Sequence, residues 1–270
     1  MQRALACVAW LLAGLALPAA LNGQDSHVPP AAELAAITER GRALAEYDAA
    51  AWHATDAVET ANPKTVEGQH CLAKKENGRW TVAFGALDAD KSKFLIGYEA
   101  TETARTKQFS VQHIEPPRED ADFYLFAARA LELALADFGH TNRPYNAAVL
   151  PAINPEVKDE PGLLYVYLYP AQTKARTYPL GGDVRYLLSA DGQKILVKRQ
   201  MHKIILDIPA AKGKNKVAGY HTHVLSERPE DTDVLHVLQQ DPPLPELIGT
   251  QHYLYQVAAD GTIGFKTQKK

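Results

Sequence analysis

The chain has 270 residues, of which 46% are apolar and 23% charged, the composition of a folded globular protein rather than a disordered one. Its 29 Lys and Arg against 32 Asp and Glu give a net charge of −3, without the basic surplus that binding a phosphate backbone requires. Nucleic acid is therefore not an expected partner, and no repeat, heptad seam or low-complexity tract suggests a fibrous or array architecture.

Arg3 precedes the uncharged, apolar run Ala4–Leu21, and the polar Asn22–Asp25 follows it. This pattern predicts a signal peptide over residues 1–24, hence a secreted or periplasmic protein with no stable membrane insertion after cleavage. Past that segment Cys71 is the only cysteine, so stability must come from a core rather than from an intrachain disulfide. His70 and Cys71 are neighbours, but adjacent strand residues face opposite ways. A buried, inert thiol is the expectation for Cys71.

Ala31 to about Thr60 carries apolar residues at helical spacing and predicts one long helix, or two with a break near Gly41, ended by Pro63. Alternation over Trp80–Leu87 and Phe94–Glu99, around Asp88–Lys91, predicts a hairpin. A central helix is expected after Pro116-Pro117, with Glu119, Asp120 and Asp122 in its first turn and a stop at Gly139. Its many apolar positions predict burial on most sides. The proline-rich stretch 142–162 reads as a loop, separating an N-terminal α+β region (25–141) from a C-terminal domain (163–270). In that domain Leu163–Tyr169 and Val217–Val224 read as strands, and Val184–Ser189 with Lys194–His202 as a hairpin. A short helix over Asp231–Gln240, a strand at Leu247–Thr250 and a hairpin over Tyr253–Phe265 complete it. The fold class expected is α+β, with mostly antiparallel sheets.

The stretch 219–234 carries the chemistry. On a strand, His221 and His223 share one face about 7 Å apart along the backbone. That spacing suits two ligands of one metal, with a carboxylate at the following helix start, Asp231 or Asp233, folding back as a third. Asp231 would otherwise serve as a helix cap.

These residues resemble the JAB/MPN-type (JAMM) metallopeptidases, whose strand-borne H-[ST]-H precedes a Pro-Ser-x-x-Asp at a helix N-terminus. His221-Thr222-His223 matches the first part, and Pro229-Glu230-Asp231-Thr232-Asp233-Val234 resembles the second, with Glu230 in place of the motif serine. The order of helix, short strand and hairpin is similar too, so the resemblance implies a JAMM-like, deaminase-like β-α-β unit in the C-terminal half. It also implies one zinc ion on His221, His223 and Asp233, and hydrolysis of an amide or isopeptide bond in a peptide or protein substrate by zinc-activated water. The family's general-base glutamate has no clear counterpart. Asp183, Arg185, Arg199 and His202 form a second polar group that can join the site, with His202 as an extra ligand or proton shuttle and arginine as a carboxylate or oxyanion partner. The alternative function is a non-catalytic envelope protein that uses the same fold to bind a partner or cell-wall component.

Overall fold

The computed structural model describes residues 30–61, 69–153, 161–210 and 217–267; the expected signal peptide lies outside the described residues. Among them the chain forms three helices and mostly antiparallel sheets, an α+β arrangement.

The Ala-rich segment is a single helix, α1 (Ala31–Ala61), unbroken at Gly41. After it, β1 (His70–Glu76), β2 (Arg79–Leu87), β3 (Phe94–Glu102) and β4 (Phe109–Asp120) form an antiparallel meander in chain order. The hairpin expected over Trp80–Glu99 is the β2–β3 pair. Pro116 and Pro117 lie inside β4 rather than at a helix start. β4 is the last strand of its sheet among the described residues, and an edge tolerates a missing ladder N–H. The helix itself, α2 (Phe123–Phe138), begins later. Asp120 secures its start, Oδ1 accepting the backbone N–H groups of Asp122, Tyr124 and Leu125 at 3.1, 3.0 and 3.3 Å. Gly139, at φ 81°, ends it.

The segment expected to be a loop contains a strand, β5 (Tyr145–Pro151), which pairs antiparallel with β6 (Leu164–Pro170). Its proline stands at the strand's last position and on an edge, where a ladder donor is dispensable. β7 (Thr177–Gly181) follows, then the expected hairpin of β8 (Val184–Leu188) and β9 (Ile195–Gln200), giving a second sheet in the order β5-β6-β8-β9. β10 (Ile205–Pro209) pairs with β7 as a separate ribbon. β6 is buried on both faces, and its alternation separates two cores. Leu164, Val166 and Leu168 pack with α2, whereas Tyr165, Tyr167 and Tyr169 pack with α1.

The last sheet is β11 (Gly219–Thr222), β12 (Glu246–Gly249), β13 (Tyr253–Val257) and β14 (Ile263–Thr267). β11 and β12 run parallel, joined through α3 (Asp231–Gln239), a β-α-β unit. The remaining pairs are antiparallel. Helix α1 reaches this end of the molecule as well: Leu34 and Ile37 pack with Val234, Val237, Ile248 and Tyr255. Where α1 meets α3, a Cβ on Gly41 would lie 2.4 Å from Val234 Cβ and 2.6 Å from the Asp231 carbonyl oxygen.

Gly41→Ala should therefore destabilise the protein. Alanine gains about 1 kcal/mol of helix propensity, but forcing two backbones apart costs about 1–3 kcal/mol. A net loss in urea unfolding is expected. A gain would mean that α1 slides on α3 without resistance.

Candidate metal centre

His221 comes from β11, His223 from the residue just past it, Asp233 from the first turn of α3, and His202 from the chain two residues beyond β9. Their four ligand atoms lie within 4.8 Å of one another. His223 Nε2 is 2.9 Å from His202 Nε2 and 3.1 Å from His221 Nε2. Asp233 Oδ1 is 3.2 Å from Nε2 of both His202 and His221, and Oδ2 is 3.3 Å from His223 Nε2. Burial is nearly complete, with side-chain exposure of 0% for Asp233, 1% for His223, 5% for His221 and 10% for His202.

The other ring nitrogens decide what the cluster is. His202 Nδ1 donates to Asp183 Oδ1 at 2.8 Å, and His221 Nδ1 donates to Glu246 Oε1 at 3.0 Å. His223 Nδ1 donates to the Arg228 carbonyl at 2.7 Å, and a carbonyl has no proton to return. A neutral imidazole that donates through Nδ1 presents a bare lone pair at Nε2. Three such lone pairs converge beside a buried carboxylate. Lone pairs at 2.9–3.1 Å repel unless positive charge sits among them, and that charge is either protons or a metal ion.

The donor set fits zinc. Ligands at 2.0–2.1 Å in a tetrahedron lie about 3.3 Å apart, close to the separations above. The supports on the Nδ1 atoms, two carboxylates and a carbonyl, are the outer partners that fix the tautomer of a ligating histidine. Asp233 Oδ1 is buried with no hydrogen bond of acceptable geometry, while Oδ2 accepts the backbone N–H of Glu230 at 2.7 Å. One carboxylate oxygen thus serves the helix cap and the other is free for coordination.

Without metal the charges push in the same direction. Burial disfavours the imidazolium of His202, but the carboxylates of Asp233 and Asp183 outweigh it and hold the ring well above the usual histidine range. His221, similarly buried and facing Asp233 and Glu246, is raised to about 9. Burial would raise the Asp233 carboxyl, yet the surrounding imidazoles keep it well below the usual carboxylate range.

Asp231, the alternative ligand, belongs to a different cluster. Its fully buried carboxylate accepts from Arg40 Nε at 2.9 and 3.0 Å, from the Tyr167 hydroxyl at 2.9 Å and from the Arg185 guanidinium. Arg185, expected as an oxyanion or carboxylate partner at the site, is thus directed to Asp231 and stacked on the Tyr165 ring, 4.6 Å from its centroid. Arg199 pairs with Glu230 through two contacts of 3.1 and 2.6 Å. Asp183 acts on the centre through His202 and does not enter it. Cys71 stays apart from this chemistry, its Sγ 3.9 Å from Thr55 Oγ1 and its thiol pushed up to about 12 by burial, while His70 turns to Glu132 at 3.2 Å. Arg40 and Glu246 carry no local sequence signal, since they lie 191 and 25 residues from their partners. No protein-family model, curated protein or solved structure matches the chain.

Two measurements separate the two aspartates. Asp231→Asn leaves two guanidinium groups underpaired and should cost about 3–5 kcal/mol of stability, with zinc stoichiometry intact wherever the protein is folded. Asp233→Asn should abolish stoichiometric zinc instead.

Proton competition sets the pH dependence. His202 and His221 hold protons more tightly in the folded metal-free protein than when unfolded, so those protons stabilise the metal-free fold at low pH. That contribution is lost as pH rises through about 9 for His221, whereas zinc requires neutral rings. Apparent zinc affinity should rise with pH from about 6.5 towards about 9, with proton release in titration calorimetry. A flat profile would show that the rings bind no competing protons.

Proposed function

We propose that the chain is a zinc-binding protein whose C-terminal half is a JAMM-like domain with a closed, four-ligand centre on His202, His221, His223 and Asp233. The observation that carries this reading is the convergence of three Nε2 lone pairs on Asp233 while every Nδ1 is already held. Four protein donors complete a tetrahedral zinc, the mark of a structural site, whereas a catalytic zinc keeps one position for water. His202 would take that fourth place. Each nearby carboxylate is also engaged elsewhere, with Asp183 and Glu246 orienting imidazoles and Glu230 paired with Arg199. Metal binding would then tie β11, the start of α3 and the chain after β9 into one unit. On this reading the protein is a secreted or periplasmic binding protein of the cell envelope, with a partner or cell-wall component as its ligand.

The second reading, a zinc-dependent hydrolase of amide or isopeptide bonds, is favoured by one observation. His202 is the most exposed of the four and comes from outside the β-α-β unit. When bound, zinc would supply a Lewis acid for a substrate carbonyl, and His202, held by Asp183, would move a proton at Nε2 rather than ligate.

One zinc per chain in the wild type is expected, lost in a His221→Ala/His223→Ala double variant. In His202→Ala, the closed-site reading expects weakened zinc binding and no loss of peptide-bond hydrolysis, the wild type having none. Wild-type hydrolysis that collapses in His202→Ala with zinc retained would establish the hydrolase.

A further inference from the structure

The three imidazoles of the centre are oriented by unequal partners. His202 and His221 donate through Nδ1 to carboxylates, Asp183 just before β8 and Glu246 at the start of β12. His223 donates instead to the backbone carbonyl of Arg228, in the loop between β11 and α3. A charged acceptor makes a hydrogen bond roughly twice as strong as a neutral one, so the direction of the His223 ring depends on where that loop holds one carbonyl. Burial does not hold the loop, because Val224 is 80% exposed and Leu225 49%.

Polar contacts hold it. Ser226 Oγ donates to the same Arg228 carbonyl at 2.6 Å. Glu227, between these two residues, is anchored twice. Its carbonyl accepts the hydroxyl of Tyr255 at 2.7 Å, from a residue of β13 whose ring lies in the core. Its carboxylate accepts the backbone N–H groups of Gln251 and His252, each at 3.3 Å, and Nδ1 of His252 at 3.2 Å. Gln251 and His252 belong to the turn between β12 and β13, which is closed by its own bonds: the Thr250 N–H donates to the Tyr253 carbonyl at 2.9 Å, and the Tyr253 N–H to Thr250 Oγ1 at 3.1 Å. The Arg228 side chain pairs with Glu33 in the first turn of α1. The β12–β13 hairpin thus supports His221 through Glu246 and reaches His223 through Glu227.

We propose that Glu227 is a positioning residue of the metal centre: by fastening the 224–229 loop to the β12–β13 turn, it sets the Arg228 carbonyl that orients His223. The inference rests on the four-ligand reading above and adds a residue that touches neither the ion nor any ligand. Without this fastening the exposed loop moves and the His223 ring loses its fixed direction. His202, His221 and Asp233 keep theirs, because their supports lie on other elements. The centre then offers three well-placed donors in place of four.

Zinc affinity of the full chain, measured against a competing chelator, gives one readout. Glu227→Ala should weaken it about tenfold, the lower end of what loss of an orienting partner costs, and Glu227→Gln, which keeps an acceptor for the turn, should recover most of that loss. Crystals of the metal-free variant give the other. In Glu227→Ala the contact between His223 Nδ1 and the Arg228 carbonyl should be lost, with those from His202 to Asp183 and from His221 to Glu246 retained. Unchanged affinity, or weakened affinity with the His223 contact intact, overturns the inference. Should Glu227→Ala fail to fold, Tyr255→Phe removes the other anchor of the same residue and is read in the same two ways. A wild type that takes up no zinc sinks the four-ligand reading instead, and the His223 contact in the metal-free variant remains the separate test of this one.

Discussion

Helix α3 opens with three buried acids in four positions, Glu230, Asp231 and Asp233, and the architecture around it follows from neutralising them. Negative charge at a helix N-terminus gains about 0.3–1 kcal/mol from the dipole, far less than the several kcal/mol that burying each carboxylate costs. The difference has to come from partners. Arg199 meets Glu230, Arg40 and Arg185 meet Asp231, and three imidazoles meet Asp233. Asp231 has an excess of positive charge around it. Asp233 has only imidazoles, two of them backed by further carboxylates, so its surroundings call for a cation or for protons. The same helix start thus holds one structural and one chemically open solution to the same problem.

Half of these partners, Arg185, Arg199 and His202, come from one hairpin, β8–β9, and the chain just past it. Antiparallel register sets Arg185 opposite Arg199, and from there Arg185 reaches Asp231 while Arg199 reaches Glu230. Asp183 precedes β8 and His202 follows β9, at the same end of the hairpin, where the chains have left the ladder. His202 is therefore free to turn its ring towards β11, with its backbone N–H and Nδ1 both fixed on Asp183 at 3.0 and 2.8 Å. A ligand still on the regular strand would have its direction set by the pleat. β11 and the residue after it supply His221 and His223, and α1 supplies Arg40, which arrives beside Gly41 at the point where the two helices nearly touch.

Periodicity makes the hairpins β2–β3, β8–β9 and β13–β14 legible, because their turns and alternation are encoded within a few residues. It also places His221 and His223 on one face, and the resemblance to a metallopeptidase motif points to Asp233. Prolines misdirect a local reading at β4 and β5, where they signal stops, whereas both strands are edges that need no donor at those positions. β7 and β10 escape such a reading because they pair with each other across the intervening β8–β9 hairpin. Arg40 and Glu246 are invisible for a related reason. Which acid an arginine meets, or which carboxylate orients a histidine, is fixed by how helices and sheets pack, and no local pattern records it.

The two halves of the polar cluster have different tolerances, and this bears on why both are present. Two guanidinium groups on Asp231 satisfy it by charge and geometry at once, so that cluster needs nothing from solution. The imidazoles around Asp233 reach the same state by taking up protons or a metal ion, which compete for the place. A rigid clamp on one side of the helix start therefore holds the carboxylate on the other side where it is, two residues away, whatever the occupancy of the site. Asp233 is preorganised by Asp231: the cost of fixing its position is met by the folding of α1 and the β8–β9 hairpin rather than by whatever cation or protons the imidazoles take up.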